Sequence, residues 1–235
     1  MTQPSPHGAE PSLVAQRRPP GGALIELHSH SVELSLDSGA SAASLIARAK
    51  SSGLDAICLT EHNALWEPID LRELAERCEF PVFAGIELGT DAGHVLAFGF
   101  DRYRPELLVL ERLRPIAERE GAVLVLAHPM RPFHGILPPW SEFPGWFDGV
   151  EVINGDHSDS EDGYLVRQAA DLGLAATAGS DAHTPEAVGR VATAFPRRVR
   201  SLEEIMSSIR LAETRPIDFR PRSLAGGDKR LGRYS

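Results

Sequence analysis

Leu27-His28-Ser29-His30 near the start of the chain and Gly179-Ser180-Asp181-Ala182-His183 near its end share one arrangement. In each, a short apolar run delivers two potential metal ligands placed two residues apart. Strand side chains alternate between faces, so residues i and i+2 point the same way. Each pair can therefore grip an ion from one side of a strand end. This constrains the chain to bring its first and last strands together, and it points to a barrel closed around a metal cluster.

The chain's 235 residues suit one α/β domain with a sizeable core, and 42% hydrophobic with 24% charged residues is ordinary for a globular protein. A formal charge of -9 argues against a general nucleic-acid or membrane-surface binder. It leaves room for a phosphorylated substrate, because clustered acids can be neutralised by metal ions. The two cysteines, Cys58 and Cys78, offer neither a disulfide framework nor a zinc-ribbon spacing, so the expected setting is a reducing cytosol. No apolar run reaches membrane-spanning length.

Residues 1–22 read as a disordered leader, 23–220 as one domain and 221–235 as a flexible tail. Short apolar runs alternate with helix patterns. Strands are expected at Ala23–Leu27, Leu54–Leu59, Pro81–Ile86, His94–Phe100, Ala122–Ala127, Gly149–Ile153, Leu174–Ala178 and Val191–Phe195. Helices are expected from Ser41 or Ser44 to about Ser52, and over Ile69–Cys78, Pro105–Glu120, Glu161–Leu172 and Ser201–Leu211, the last opened by a capping box of Ser201 and Glu204. The short Leu88–Gly93 turn favours an antiparallel hairpin that sets Glu87 and His94 on one rim. Met130–Phe147 reads as a long irregular segment covering a site.

His28, His30, His62, Glu87, His128 and Asp181 fall at strand C-terminal ends, the rim on which α/β barrels carry active sites. Any one of these histidines, taken alone, reads as a loop or core residue. Jointly they form a ligand set suited to zinc, manganese or iron, and it exceeds what one tetrahedral ion needs. A cluster of two or three divalent ions is therefore expected.

Glu26-Leu27-His28-Ser29-His30, Leu59-Thr60-Glu61-His62-Asn63, Gly85-Ile86-Glu87, Ala127-His128-Pro129 and Gly179-Ser180-Asp181-Ala182-His183 resemble, in this order, the motifs of the PHP (polymerase and histidinol phosphatase) family. The resemblance implies a distorted (β/α)7 barrel. It also implies metal ligation by His28, His30, His62, Glu87, His128, Asp181 and His183, with Asp37 and His94 at the family's two further positions. Glu33 rivals Asp37 as the carboxylate after the first pair. Glu61 stands where many relatives carry Asp and is read as orienting its neighbours.

The implied activity is metal-dependent phosphoester hydrolysis, through a metal-activated water held by His28, His30, Glu87 and Asp181. Arg131 and Arg190 are candidate phosphate ligands, since a guanidinium fork matches phosphate oxygens. Asn154 is a candidate substrate contact with a turn-forming role equally open. His134 and His157 are spare histidines, and Trp66, Phe133, Trp140 and Trp146 are candidate pocket walls. The expected substrate is a small phosphorylated compound, a nucleotide or a short oligonucleotide rather than a long duplex, with no membrane partner. An amidohydrolase-like enzyme is the rival class, but its usual bridging lysine has no counterpart, Lys50 lying in a helix pattern and Lys229 in the tail. A metal-stabilised, non-catalytic accessory module is the third reading.

Overall fold

A computed structural model describes residues 17–132 and 135–221. Most of the expected leader and tail, together with His7, Phe133 and His134, therefore lies outside the described residues. Of the leader, Arg18 is described; its guanidinium bonds Asp55 (2.6 Å) and the Gly53 carbonyl (2.6 Å).

The strands are β1 (Ala23–Glu26), β2 (Ala56–His62), β3 (Val82–Thr90), β4 (Gly93–Phe98), β5 (Val123–Leu126), β6 (Gly149–Asn154), β7 (Ala175–Gly179), β8 (Val191–Phe195) and β9 (Arg215–Asp218). They form one sheet in the order β7-β6-β5-β4-β3-β2-β1-β8-β9. The helices are α1 (Ala42–Ser51), α2 (Pro68–Cys78), α3 (Leu110–Glu120), the short α4 (Phe143–Trp146), α5 (Asp159–Leu172) and α6 (Leu202–Arg210).

Strands β1–β3 and β5–β7 pair in parallel, whereas β4 runs antiparallel to both of its neighbours. Strands covered on both faces read as continuous apolar runs, and β1, β5 and β7 are buried at every position. The sheet curls until β7 meets β8 and β9, giving a nearly closed barrel. Side chains stitch that seam: the Thr193 hydroxyl donates to the Ala178 carbonyl and accepts from the Ala178 amide (both 2.8 Å), and Thr214 donates to the Ala176 carbonyl (2.9 Å). At the rim, a parallel bridge joins Ser29 to Ala182, and the His30 amide donates to the Ala182 carbonyl (2.9 Å). The first and last ligand pairs are thereby locked side by side.

Two apolar clusters contain the helix contacts, including Leu45, Ile46 and Leu74 in one and Leu113, Ala117 and Leu165 in the other. A third unites Ile25, Leu27, Cys58, Phe98, Val125 and Phe195 with Ile205, Met206 and Ile209 of α6. Cys58 is fully buried there, and burial pushes its thiol pKa up, against any nucleophilic use.

Several elements differ from the sequence reading. The helix expected over Pro105–Glu120 is broken, because Val109 is extended (φ -111, ψ 113) between a 3₁₀ turn, Pro105–Leu108, and α3. Ser201 does cap α6, but the Glu204 carboxylate takes the Arg200 amide (2.6 Å) instead of completing the box. The complete capping box is that of Ser158 and Glu161 on α5. Strand β3 continues to Thr90, so only Asp91 and Ala92 form the hairpin turn. Strand β9 was not anticipated, Pro216 and flanking charges disguising a four-residue edge strand.

Candidate metal centre

The parallel register that aligns His62 with Glu87 and the hairpin register that aligns Gly89 with His94 bring three strands' polar ends together. His128 follows β5, His28 and His30 follow β1, and Asp181 and His183 follow β7. Ligand atoms converge in three groups: His28, His30, Glu87 and Asp181; Glu87, His94 and His128; and His30, His62 and His183. Within each group these atoms lie no more than 4.8 Å apart, and Glu87 and His30 each belong to two groups.

The first group is the most deeply set. His28 Nε2 lies 3.3 Å from both Glu87 Oε2 and Asp181 Oδ1, and His30 Nε2 lies 3.2 and 3.1 Å from the same two oxygens. All four atoms are buried without a hydrogen bond of acceptable geometry. Leaving such atoms unmatched is costly unless a cation sits among them. Ligand bonds of about 2.0–2.1 Å put tetrahedral ligands about 3.3–3.4 Å apart, close to these spacings. The residues fit a divalent ion.

Electrostatics follow from this crowding. Burial opposes charge on His28, yet the Asp181, Glu151 and Glu87 carboxylates raise its pKa well above the usual imidazole value. Burial would raise Glu87 and Asp181, but the imidazoles, His28 first, hold both well below the carboxylate range.

Around Glu87 the other groups assemble. His62 Nδ1 lies 2.9 Å from Oε2, while His94 Nδ1 (2.7 Å) and His128 Nε2 (2.9 Å) approach Oε1. Asp37 Oδ2 lies 3.1 Å from His62 Nε2 and 3.3 Å from His183 Nε2, beside the third group. Glu33 instead receives the Ala42 amide at the N-terminus of α1, where its charge suits the helix end.

Arg131 turns inward. Its Nη1 lies 2.7 Å from Asp181 Oδ2, the oxygen facing away from the first group, and its Nη2 donates to Asn154 Oδ1 (3.5 Å). Asn154 is buried and spent on the protein itself: its amide donates to Glu151 (2.9 Å) and its oxygen accepts the Asp156 amide (3.1 Å). Arg190 lies exposed at the start of β8 and makes no side-chain hydrogen bond or ion pair among the described residues. His157 is buried away from the cluster, 3.3 Å from Asp162. Trp66 donates to Glu61 (2.8 Å), and Trp140 and Trp146 pack on the large core cluster.

Sequence reasoning missed two buried carboxylates. Glu151 on β6 holds His28 Nδ1 at 3.0 Å, which turns Nε2 toward the ligand group, and its other oxygen accepts the His128 amide (3.0 Å). Glu26 accepts the Ser180 amide (2.8 Å), the Ser180 hydroxyl (2.6 Å) and the His28 amide (3.2 Å), tying the two ligand pairs together. Burial raises the Glu26 pKa to about 7 against those hydrogen bonds. The signal for both was an acid inside an otherwise apolar strand, a position that demands partners. Glu61 accepts from Ser31, Ser35 and Trp66, fixing the loop that follows His30.

Backbone strain concentrates at the same rim. Asn63 (φ 50), His128 (φ 26) and Asp181 (φ 51) adopt left-handed conformations that cost non-glycine residues free energy. A side chain at Gly179 would collide with Glu151 Oε1 and the His28 Cβ, so glycine lets β7 pass close to the His28–Glu151 pair. Lys50, the one lysine among the described residues, points its amine at the carbonyls of Cys78 and Glu79 (3.3 and 3.4 Å) and supplies no metal bridge.

Comparison with known proteins gives a consistent result. A family model described as PHP-associated matches residues 166–214. An uncharacterized protein of Methanocaldococcus jannaschii is 26% identical over 111 residues, 47% of this chain and 64% of that protein. The error-prone DNA polymerase of Cutibacterium acnes is 32% identical over 102 residues, 37% of this chain and 9% of the polymerase. The chain thus spans under two thirds of either relative. Among solved structures, PsfC from Pseudomonas syringae superposes with a TM-score of 0.63 at 24% identity, covering 83% of this chain and 91% of PsfC. A Bacteroides vulgatus two-domain protein containing a predicted PHP-like metal-dependent phosphoesterase gives 0.63 at 23% identity, covering 89% and 69%. An amidohydrolase from Chromobacterium violaceum gives 0.59 at 19% identity, covering 78% and 96%. These structural likenesses concern the fold.

Proposed function

Taking as premise the PHP-domain family that the match over residues 166–214 and the shared barrel support, we propose that this chain is a metal-dependent phosphoesterase. The observation that carries the reading is the convergence of four buried ligand atoms, from His28, His30, Glu87 and Asp181, with no hydrogen bonds among themselves or to others. Bound divalent ions would supply Lewis-acid stabilisation of phosphoryl charge and a water of lowered pKa.

The chain's own residues do the rest. His28, His30, Glu87 and Asp181 would hold one ion, Glu87, His94 and His128 a second, and His30, His62, His183 and Asp37 a third. Glu151 and Glu26 keep the first group's imidazole and backbone in place. Arg131, paired with Asp181 and partly exposed, would meet a phosphoryl oxygen with its remaining N–H donors. No nucleophilic side chain is needed. The substrate is taken as a small phosphorylated compound or short oligonucleotide, and the setting as the cytosol. No helix among the described residues is long and apolar enough to cross a membrane.

Elemental analysis of purified protein, followed by phosphate release from an ester panel with manganese, zinc or iron restored, tests this reading. Metal-dependent release that Asp181→Ala abolishes is the expected result. Metal bound without any turnover would favour the non-catalytic module, and full activity in Asp181→Ala would overturn the mechanism.

A further inference from the structure

The loop that follows β1 is turned inside out. Ser31, Ser35 and Ser38 are buried in it, while Val32, Leu34 and Leu36 are exposed, Leu36 fully. The inward hydroxyls are tied down. Ser31 and Ser35 donate to the buried Glu61 carboxylate, and Ser38 donates to the His30 carbonyl (2.7 Å). Rolling the leucines inward would strip Glu61 of these donors, a costly exchange. Three large apolar side chains are thus held outward within five residues, beside Asp37, and such a surface marks a contact.

The described chain leaves the barrel close by. Strand β9 neighbours β8, which neighbours β1, so at about 4.8 Å per strand the rim end of β9 lies roughly 10 Å from that of β1. The exit is fixed there: the Phe219 amide donates to the Arg190 carbonyl (2.9 Å), and Arg220 donates to the Asn154 and His157 carbonyls. Phe219 adds an exposed ring at the same point.

Residues 222–235 lie outside the described residues, but their sequence and length suit the surface beside their exit. They carry Arg222, Lys229, Arg230 and Arg233 against one acid, Asp228, with Leu224 and Leu231 among them. Fourteen residues reach up to about 46 Å when extended, several times the distance to the β1 loop. The rim is acidic: Glu33, Glu67, Asp70, Asp156, Asp159 and Glu186 are exposed after β1, β2, β6 and β7. Against them stand Arg131, Arg190 and Arg220, of which Arg131 and Arg220 are already paired with Asp181 and Asp162. We propose that residues 222–235 dock back on the rim of their own chain, with their leucines on Val32, Leu34 and Leu36 and their basic side chains beside the rim acids. Docked there, the segment runs beside Asp37, the most exposed carboxylate of the ligand cluster. The proposal stands apart from the phosphoesterase reading and is tested without any turnover.

Lys229 is the one lysine of this segment, and Lys50, the chain's other lysine, lies on α1. Carbodiimide coupling of Lys229 to carboxylates, mapped by mass spectrometry on the full chain with manganese added, therefore reports where the segment lies. The expected products join Lys229 to Glu33, Glu67 or Asp70 within one chain. Leu34→Ser combined with Leu36→Ser should slow that coupling about tenfold or more, the worth of uncovering two leucines. Salt at about 0.5 M should slow it severalfold, since charges are then screened beyond about 4 Å. Should the double variant not fold, Leu36→Ser alone, at a fully exposed position, should move the rate in the same direction. Coupling that falls equally on Asp101, Glu120 and Glu203 at the opposite end of the barrel, or a rate that neither variant changes, overturns the proposal. Coupling between chains that rises with protein concentration also overturns it and gives the surface to a second copy.

Discussion

The two sides of the ligand cluster are built differently. On the inner side, the side chains of His28, His30, Glu87 and Asp181 are 0–5% exposed, and Glu151 and Glu26 brace them from behind. On the outer side, Asp37 is 56% exposed, His94 37%, His62 29% and His183 28%. His62 and His94 reach the inner side through Glu87, and Asp37 and His183 complete the outer edge. The inner group is preorganised: desolvation, unmatched lone pairs and locked rotamers all favour a resident cation. The outer group has water for competition and side-chain freedom to lose, so its ions should exchange more readily. Depth within one rim separates a structural demand for metal from a capacity for it.

The largest effect that could break this contrast comes from the inner ligands. His28→Ala and Asp181→Ala should each remove the tightly held ion and lower kcat/KM by on the order of 1,000-fold, several kcal/mol of lost electrostatic stabilisation. Circular dichroism should show the barrel intact. Glu151→Gln touches no ion directly but loosens His28, and a 10- to 100-fold loss of metal affinity (approximately) is expected in equilibrium dialysis. Asp37→Ala and His94→Ala should cost about tenfold or less, as partly exposed contacts in high dielectric do, and should be rescued by excess metal. A loss in His94→Ala matching that in His28→Ala would erase the contrast.

A pH titration sharpens it further. In metal-free protein the raised His28 pKa adds stability that is complete below about pH 6.5 and is lost as pH rises through the raised value. The lowered Glu87 and Asp181 values add stability present above about pH 4 and lost as pH falls through the depressed ones. Metal-free protein should therefore melt highest between about pH 4.5 and 6.5. With metal restored, melting temperatures should climb above that window, because the ion needs deprotonated imidazoles. Thermal melts with and without chelator would show the two curves diverging as pH rises.

The smallest predicted effect lies behind the inner side. Arg220 donates to the carbonyls of Asn154 (3.0 Å) and His157 (2.8 Å) and pairs with Asp162 and Asp218. Arg220→Ala should lower stability by about 2–3 kcal/mol, as expected for lost hydrogen bonds to a charged group, and reduce activity only through the Asn154 loop.

Much of this could be read in advance because ligand chemistry leaves a period-two mark at strand ends. His28, His30, Glu87 and Asp181 follow from where apolar runs stop, and His94 from the tight hairpin turn that brings the start of β4 back to Glu87. Register made Asp37 readable only as a choice with Glu33, since both carboxylates lie in one loop and only the folded loop sends Glu33 to a helix end. Glu26 and Glu151 hid inside strands, where an acid is visible but its partner, more than a hundred residues away, is not. The break at Val109 and the edge strand β9 escaped for a related reason: tertiary packing overrode weak local preferences.

Metal stoichiometry decides the matter most directly. Equilibrium dialysis of the native chain and of His28→Ala against a divalent ion, read by elemental analysis, should find at least one ion retained per native chain through extensive washing and none retained by the variant. Equal retention by both, or none by either, would contradict a metal centre built on the four buried ligand atoms.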